Sequence, residues 1–279
     1  MTNLVLLIAR TFVSVFTFVL TASNISSADE GDVANSATST PFWHAVGEDL
    51  ETGEMKITSR ALFTSQLTFF RTSLNKYRIG VIRASEYGWK RSDVKSLSRT
   101  SKAVLGINAN FFDEQWNPLG IIVSRGIVLQ KIHKGGTTLT GIFQVTRHGI
   151  SIVNRQSFQG ETILEALQAG PRLLSAGTPV DGIRESLTPS KRAGLCIDKS
   201  GRLIFFAVSS RFIGLDIEEL QNVLLQKNID CVDALNLDGG GSAQLYVSDK
   251  LPSAVPDWKE FYISGDDEVP VILGLFVKQ

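Results

Sequence analysis

Apolar positions in this chain fall into short runs separated by breaks rich in glycine, asparagine and serine, which predicts many strands joined by tight turns. Residues 77–83 and 103–109 read as strands on either side of a short helix near 92–99, with Ser92 as its N-cap. Three hairpins follow from paired apolar runs around polar turns. They join 121–123 to 127–129, 142–146 to 150–154, and 195–198 to 203–208. Residues 161–168 have helical spacing and stop at Gly170-Pro171. A second helix starts at Asp216, where Glu219 completes an aspartate version of the capping box and Ile217, Leu220, Val223 and Leu224 form one apolar face. That helix leads into a buried strand over 232–237, and 243–247 is expected to return antiparallel to it. Residues 269–277 close the chain as a buried strand, with Pro270 near its start, where a missing N–H is tolerated. The pattern predicts an α+β fold: a β-rich mixed sheet with hairpins and a few packing helices, in a single domain spanning 41–279.

The amino terminus is patterned differently. An apolar core over 12–20 lies behind Arg10 and is followed by small residues, so 1–28 reads as a signal peptide cleaved near Ala28 or Ala22, or as an uncleaved anchor. Residues 29–40 are rich in Ser, Ala, Asp and Asn and read as a flexible tether. The expected location is periplasmic or secreted, with membrane contact only through an uncleaved anchor. The sequon Asn24-Ile25-Ser26 would leave with the signal. Lysines and arginines total 28, as do acidic residues, so nothing points to nucleic acid, and any phosphate recognition must be local. Cys196 and Cys231 each sit in an apolar strand-like run and are read as buried free thiols, with a disulfide as the alternative. No C-x-x-C occurs, so neither a thioredoxin-like site nor a zinc knuckle is indicated.

Candidate chemistry concentrates at strand ends. Asn236-Leu237-Asp238-Gly239-Gly240-Gly241-Ser242 sets a carboxylate and a hydroxyl around three glycines, whose backbone could bring N–H groups onto an anion. Alone it is equally an aspartate-capped turn. Asn108-Ala109-Asn110-Phe111-Phe112-Asp113 repeats the theme after another apolar run, and in isolation it reads as a strand end satisfying its own backbone. Gln168-Ala169-Gly170-Pro171-Arg172-Leu173 and Ser190-Lys191-Arg192-Ala193-Gly194-Leu195 look similar. The segment Gly240-Gly241-Ser242-Ala243-Gln244 lacks the last glycine of a nucleophile elbow, and no spacing links Ser242 to His44, His133 or His148. There is no Walker A motif and no clustered metal-ligand spacing, so no cofactor or metal is assigned.

Taken in order, these four motifs resemble the phosphodiester glycosidase family over about residues 77–277, most of the chain. The family's best-known member removes N-acetylglucosamine from a mannose-6-phosphodiester. This chain carries Asn110 where the family usually has glycine, Ala243 where a second serine is frequent, and Cys196 where a small residue is common. The resemblance implies an enzyme acting on a phosphosugar or glycan-phosphate. It makes Asp238 the leading catalytic carboxylate and Asp113 the second. Arg192 would hold the phosphate, helped by N–H groups of Gly239, Gly240, Gly241 and Ser242, with Arg172 as a further ligand. Asn108 and Asn110 would meet sugar hydroxyls, and Phe111, Gly170 and Pro171 would shape the wall. The alternative is an exported carbohydrate- or anion-binding module that uses the same groups without chemistry.

Overall fold

The computed structural model describes residues 42–279 except 61, 161, 185, 186 and 212. The signal or anchor over 1–28 and the tether over 29–40 lie outside the described residues. No described helix is long and apolar enough to cross a membrane.

Strands dominate, as the short apolar runs require. In chain order they begin with β1 (His44–Gly47), β2 (Leu50–Thr58), β3 (Thr64–Thr72) and β4 (Tyr77–Arg83), followed by helix α1 (Val94–Ser101). Next come β5 (Leu105–Asn108), β6 (Ile122–Ser124), β7 (Ile127–Gln130), β8 (Gly141–Thr146) and β9 (Gly149–Asn154). Then follow β10 (Ile163–Ala169), β11 (Arg172–Ser175), β12 (Thr178–Pro179), β13 (Ala193–Asp198) and β14 (Leu203–Ser209). Helix α2 (Ile217–Leu224) precedes β15 (Cys231–Asn236), β16 (Leu245–Val247), β17 (Phe261–Ile263) and β18 (Val271–Val277).

These strands form three antiparallel sheets. The largest has the order β1-β2-β3-β14-β13-β15-β11-β12, and the two five-stranded sheets run β7-β6-β10-β8-β9 and β17-β16-β5-β18-β4. Their inner faces meet in one core, where Phe70, Leu195, Phe205 and Leu235 of the first sheet pack with Ile122, Phe143 and Leu167 of the second and Ile107, Leu245 and Leu273 of the third. Burying side chains of this size removes roughly 1.5–3 kcal/mol each of exposure to water. The outer face of the largest sheet is covered by α2, whose Ile217, Leu220 and Leu224 lie against Phe69, Ile204 and Phe206. Helix α1 sets Val94 and Leu97 against Ile82, Tyr246 and Ile272.

The three predicted hairpins form. The capping box at α2 also forms, with Glu219 N donating to Asp216 Oδ1 at 2.8 Å and Asp216 N to Glu219 Oε2 at 3.0 Å. Four expectations are corrected. The N-cap of α1 is Asp93, whose Oδ1 accepts from Ser96 N at 2.9 Å, one residue beyond the expected Ser92. The helix expected over 161–168 does not form among its described residues, 162–168: β10 lies inside a sheet between β6 and β8, and its Glu165 carboxylate accepts from Val81 N and Arg125 N. Ile163, Ala166 and Leu167 fit a helical face equally well, but burial on both sides of the strand decides against it. Residues 243–247 do not return beside β15, because β16 pairs with β5 and β17 in a different sheet.

The fourth correction concerns the cysteines, which form a disulfide between β13 and β15 with Cα atoms 5.8 Å apart. The antiparallel register brings Asp198 opposite Cys231 and Cys196 opposite Ala234, close enough for the bond. Apolar neighbours suit a buried thiol and a buried disulfide alike, so local sequence does not separate them. Restricting an unfolded loop of 35 residues is worth about 4 kcal/mol.

Candidate active site

The site grows from the chain's passage between two sheets. β15 ends at Asn236, Leu237 N donates to Ala193 O at 2.9 Å, Asp238 N donates to Ala109 O at 3.1 Å, and by Leu245 the chain lies against β5. Asn108, fully buried at the end of β5, closes this passage: its Nδ2 donates to Asp238 O at 2.7 Å and its Oδ1 accepts from Gln244 N at 3.0 Å. Gly239 runs so close to the neighbouring segment that a Cβ there would stand 2.8 Å from Lys191 O, which accounts for glycine at this position. The turn continues as one short 3-10 element over Gly240–Ser242.

Asp238, Gly239 and Gly240 border a cleft of about 330 Å³, together with Phe111, Gly170, Pro171 and Arg192. Thr138, Ile183, Arg184, Thr188, Ser190, Ile217 and Asn236 complete its walls. Residues from six separate stretches of chain therefore converge here. Asn236 joins two of them, since its Nδ2 donates to Gly170 O at 3.1 Å and to Leu237 O at 2.6 Å. The Gly170-Pro171 bond is cis, and Gly170 lies so tightly against Thr138 O that no side chain fits. At the other wall, Arg192 donates from Nε to Leu215 O at 3.1 Å and from Nη2 to Thr188 O at 2.7 Å, which fixes the guanidinium plane. Its Nη1 lies 4.0 Å from where a Cβ on Gly239 would be, beside the aspartate turn.

Electrostatics single out the same pair. Burial pushes the Asp238 carboxyl up to about 6, and the Asp267 charge adds to the rise. Hydrogen bonds from the Ser242 hydroxyl and the Gly239 N–H oppose it by favouring the ionised form. Burial pulls the Arg192 guanidinium below its ordinary value, and the negative charge of Asp216 opposes that. Asp267 was not singled out by any sequence motif. Its carboxylate touches Gly241, while the N–H groups of Asp266 and Asp267 donate to Gly241 O at 2.8 and 3.0 Å.

Several residues expected at the site have other tasks. Asp113 does not share the cleft with Asp238. It lies in a turn where its carboxylate accepts from Gln115 N at 2.9 Å, Asn117 N at 2.8 Å and Asn117 Nδ2 at 3.0 Å, bonds that hold it below the usual carboxylate range. It borders a separate cleft of about 750 Å³ beside Trp89 and Trp116. Asn108 holds the turn together rather than facing the cleft. Asn110 is likewise buried, donating to Gln168 O at 2.9 Å and Leu119 O at 3.2 Å. Arg172 is committed to Asp233 at 2.6 Å and is not among the cleft residues.

The glycine turn also has little hydrogen-bonding capacity to spare. Gly240 N donates to Lys191 O, Ser242 N to Gly239 O, and Gly239 N–H to the Asp238 carboxyl, so these donors serve the turn itself rather than an incoming anion. Ser242 is buried and partners Asp238. Among the described residues no histidine lies in the cleft beside Ser242 and Asp238, and His133 lines only the adjoining shelf, so the geometry lends no support to a Ser-His dyad. The wall residues Thr138, Thr188 and Ser190 were missed by sequence reasoning because isolated hydroxyls carry no motif.

Comparison with known proteins matches residues 101–276 to the phosphodiester glycosidase family model. No curated protein matches the sequence. Among solved structures, the fold is shared with the zebrafish N-acetylglucosamine-1-phosphodiester alpha-N-acetylglucosaminidase catalytic domain, described as auto-inhibited by its pro-peptide. The TM-score is 0.64 at 19% identity, covering 86% of this chain and 87% of that one. A hypothetical protein from Synechocystis aligns with a TM-score of 0.55 at 14% identity, over 82% of this chain and 62% of that one. A Burkholderia pseudomallei protein described as a candidate exported protein aligns with a TM-score of 0.54 at 11% identity, over 77% and 74%. The structural matches speak to fold alone, whereas the family model spans more than half the sequence and includes both Arg192 and the Asp238 turn. On that ground the chain belongs to the phosphodiester glycosidase family.

Proposed function

We propose that this protein is an exported hydrolase that cleaves the glycosidic C–O bond of a sugar-1-phosphodiester, releasing free sugar and a phosphomonoester. Residues 41–279 form the catalytic domain, behind an export segment over 1–28 and a tether over 29–40. The observation that carries the reading is a half-buried carboxyl, Asp238, in the same small cleft as a fixed guanidinium, Arg192. The apolar segment at 12–20 supports export, as does the Cys196–Cys231 disulfide, a bond that persists in oxidising compartments.

The chemistry follows from what each group can do. The departing phosphomonoester is already a good leaving group, so departure needs charge stabilisation more than protonation. Arg192 supplies that charge through its planar donors. Asp238, titrating near 6, is mostly ionised at neutral pH yet basic enough to take a proton from the water that attacks the anomeric carbon. Phe111 and the Gly170-Pro171 wall confine the substrate between the two. Asp113 has no part in this step, given its separate cleft.

Hydrolysis of a sugar-1-phosphodiester in oxygen-18 water tests the reading. The label should appear on the anomeric carbon of the released sugar, leaving an unlabelled phosphomonoester. Label in the phosphate would make the enzyme a phosphodiesterase.

A further inference from the structure

The cleft continues on one side into an open shelf of about 360 Å³, with Phe111 and Thr138 common to both. The two ends differ chemically. Around Arg192 the walls are polar, with Thr188, Ser190 and Arg184, whereas the shelf is lined by Phe111, Leu119 and Leu139, with His133 and Thr138 as its polar side chains. A sugar ring presents hydroxyls all round and needs convergent polar partners, of which the Arg192 end offers more than the shelf.

The shelf is also held in shape before any ligand arrives. Gln168, with none of its surface exposed, accepts from His133 N at 2.9 Å and donates to His133 O and Leu139 O, both at 2.8 Å. From the other side the Arg155 guanidinium donates to the carbonyls of Gly135, Gly136 and Leu139. The rim loop is therefore clamped by two side chains, so binding there loses little to ordering.

We propose that this shelf receives the alcohol portion of the departing phosphomonoester and that this alcohol is apolar, making the substrate class sugar-1-phosphodiesters of hydrophobic alcohols. This rests on the phosphodiester reading above. Phosphate sits at Arg192, the sugar takes the polar end, and the alkyl portion lies along Phe111, Leu119 and Leu139. Each methylene sheltered there adds affinity, although an open shelf covers only part of the chain.

Binding of alkyl phosphates, measured calorimetrically, tests the shelf without requiring turnover. Hexyl phosphate should bind roughly 10-fold or more tightly than methyl phosphate. Gly135→Leu places a side chain on the shelf at a position where a Cβ meets only His133 Cε1, at 3.6 Å, and should bring the two affinities to within about threefold. Leu119→Ala should reduce the same ratio by a different route, so a folding defect in one variant does not obscure the result. Equal binding of methyl and hexyl phosphate by the unaltered protein overturns the proposal. If hexyl phosphate shows the preference but no sugar-1-phosphodiester is hydrolysed, the catalytic reading fails and the shelf remains.

Discussion

Asp238 and Asp113 both follow a short apolar strand and an asparagine, and both stand beside a turn. Their surroundings make them opposites. Asp113 is wrapped by two backbone N–H groups and one amide, which favour its charge and lower its proton affinity, as suits a side chain whose work is to close a turn. Asp238 loses solvent, gains two donors and faces another carboxylate, and its proton affinity rises. Hydrogen bonds alone thus do not mark a reactive carboxyl. What separates the two is whether desolvation outweighs those bonds.

The comparison can be broken most decisively at Asp238. Asp238→Asn keeps the shape and removes the base, so kcat should fall by roughly 100-fold or more while binding of a phosphate ligand changes little. Near-normal turnover would end the assignment. Two pH measurements sharpen the same point. In the unaltered enzyme kcat/KM should fall as pH drops through about 6, as Asp238 takes up a proton. Stability moves the other way. The folded protein holds this proton above the ordinary 3.8, so the stabilising contribution of the protonated form is complete below about 4 and lost as pH rises through about 6. Discounted for partial exposure, Asp238→Asn should therefore gain about 1–2 kcal/mol at pH 7 in denaturant titrations.

Arg192→Lys comes next in size. Lysine retains charge but not the fork that fixes itself on Leu215 O and Thr188 O while facing the cleft, so kcat/KM on phosphodiesters should drop roughly 10-fold or more. Loss in parallel with a lowered melting temperature would assign Arg192 a folding role instead. The smallest catalytic effect belongs to Asp113→Ala. Removing its turn bonds should lower the melting temperature while turnover stays within about threefold. A large turnover loss in a stable variant would return Asp113 to the site.

How much was legible beforehand depends on whether the deciding interaction is local. The α2 capping box and the three hairpins rest on neighbours within a few residues, and the sequence shows them directly. Residues 161–168 were misread because Glu165 gains its partners from Val81 and Arg125, far away in the chain, and only the sheet supplies them. The Asp238 turn and Arg192 could be found from motif order, but their meeting in one cleft depends on β13 and β15 being neighbours. From sequence, Arg192 reads as the phosphate-holding residue and Arg172 as a lesser further ligand. Arg172 faces Asp233 and Arg192 lines the cleft, a distinction set entirely by tertiary placement. Asp267 belongs to a polar stretch without a motif, so nothing local connects it to Gly241.

Asn108 has a consequence for how activity is acquired during folding. One amide spans the Asp238 carbonyl and the Gln244 N–H, so the turn reaches its working shape only when the strand ending at Asn108 and the chain leaving β15 have both arrived. These partners are separated by 130 and 136 residues, contacts that form late because long loops must close first. Partly folded species, even with most hairpins in place, should therefore be inert toward substrate. Recovery of turnover on refolding then clocks the final docking of sheets rather than the appearance of secondary structure.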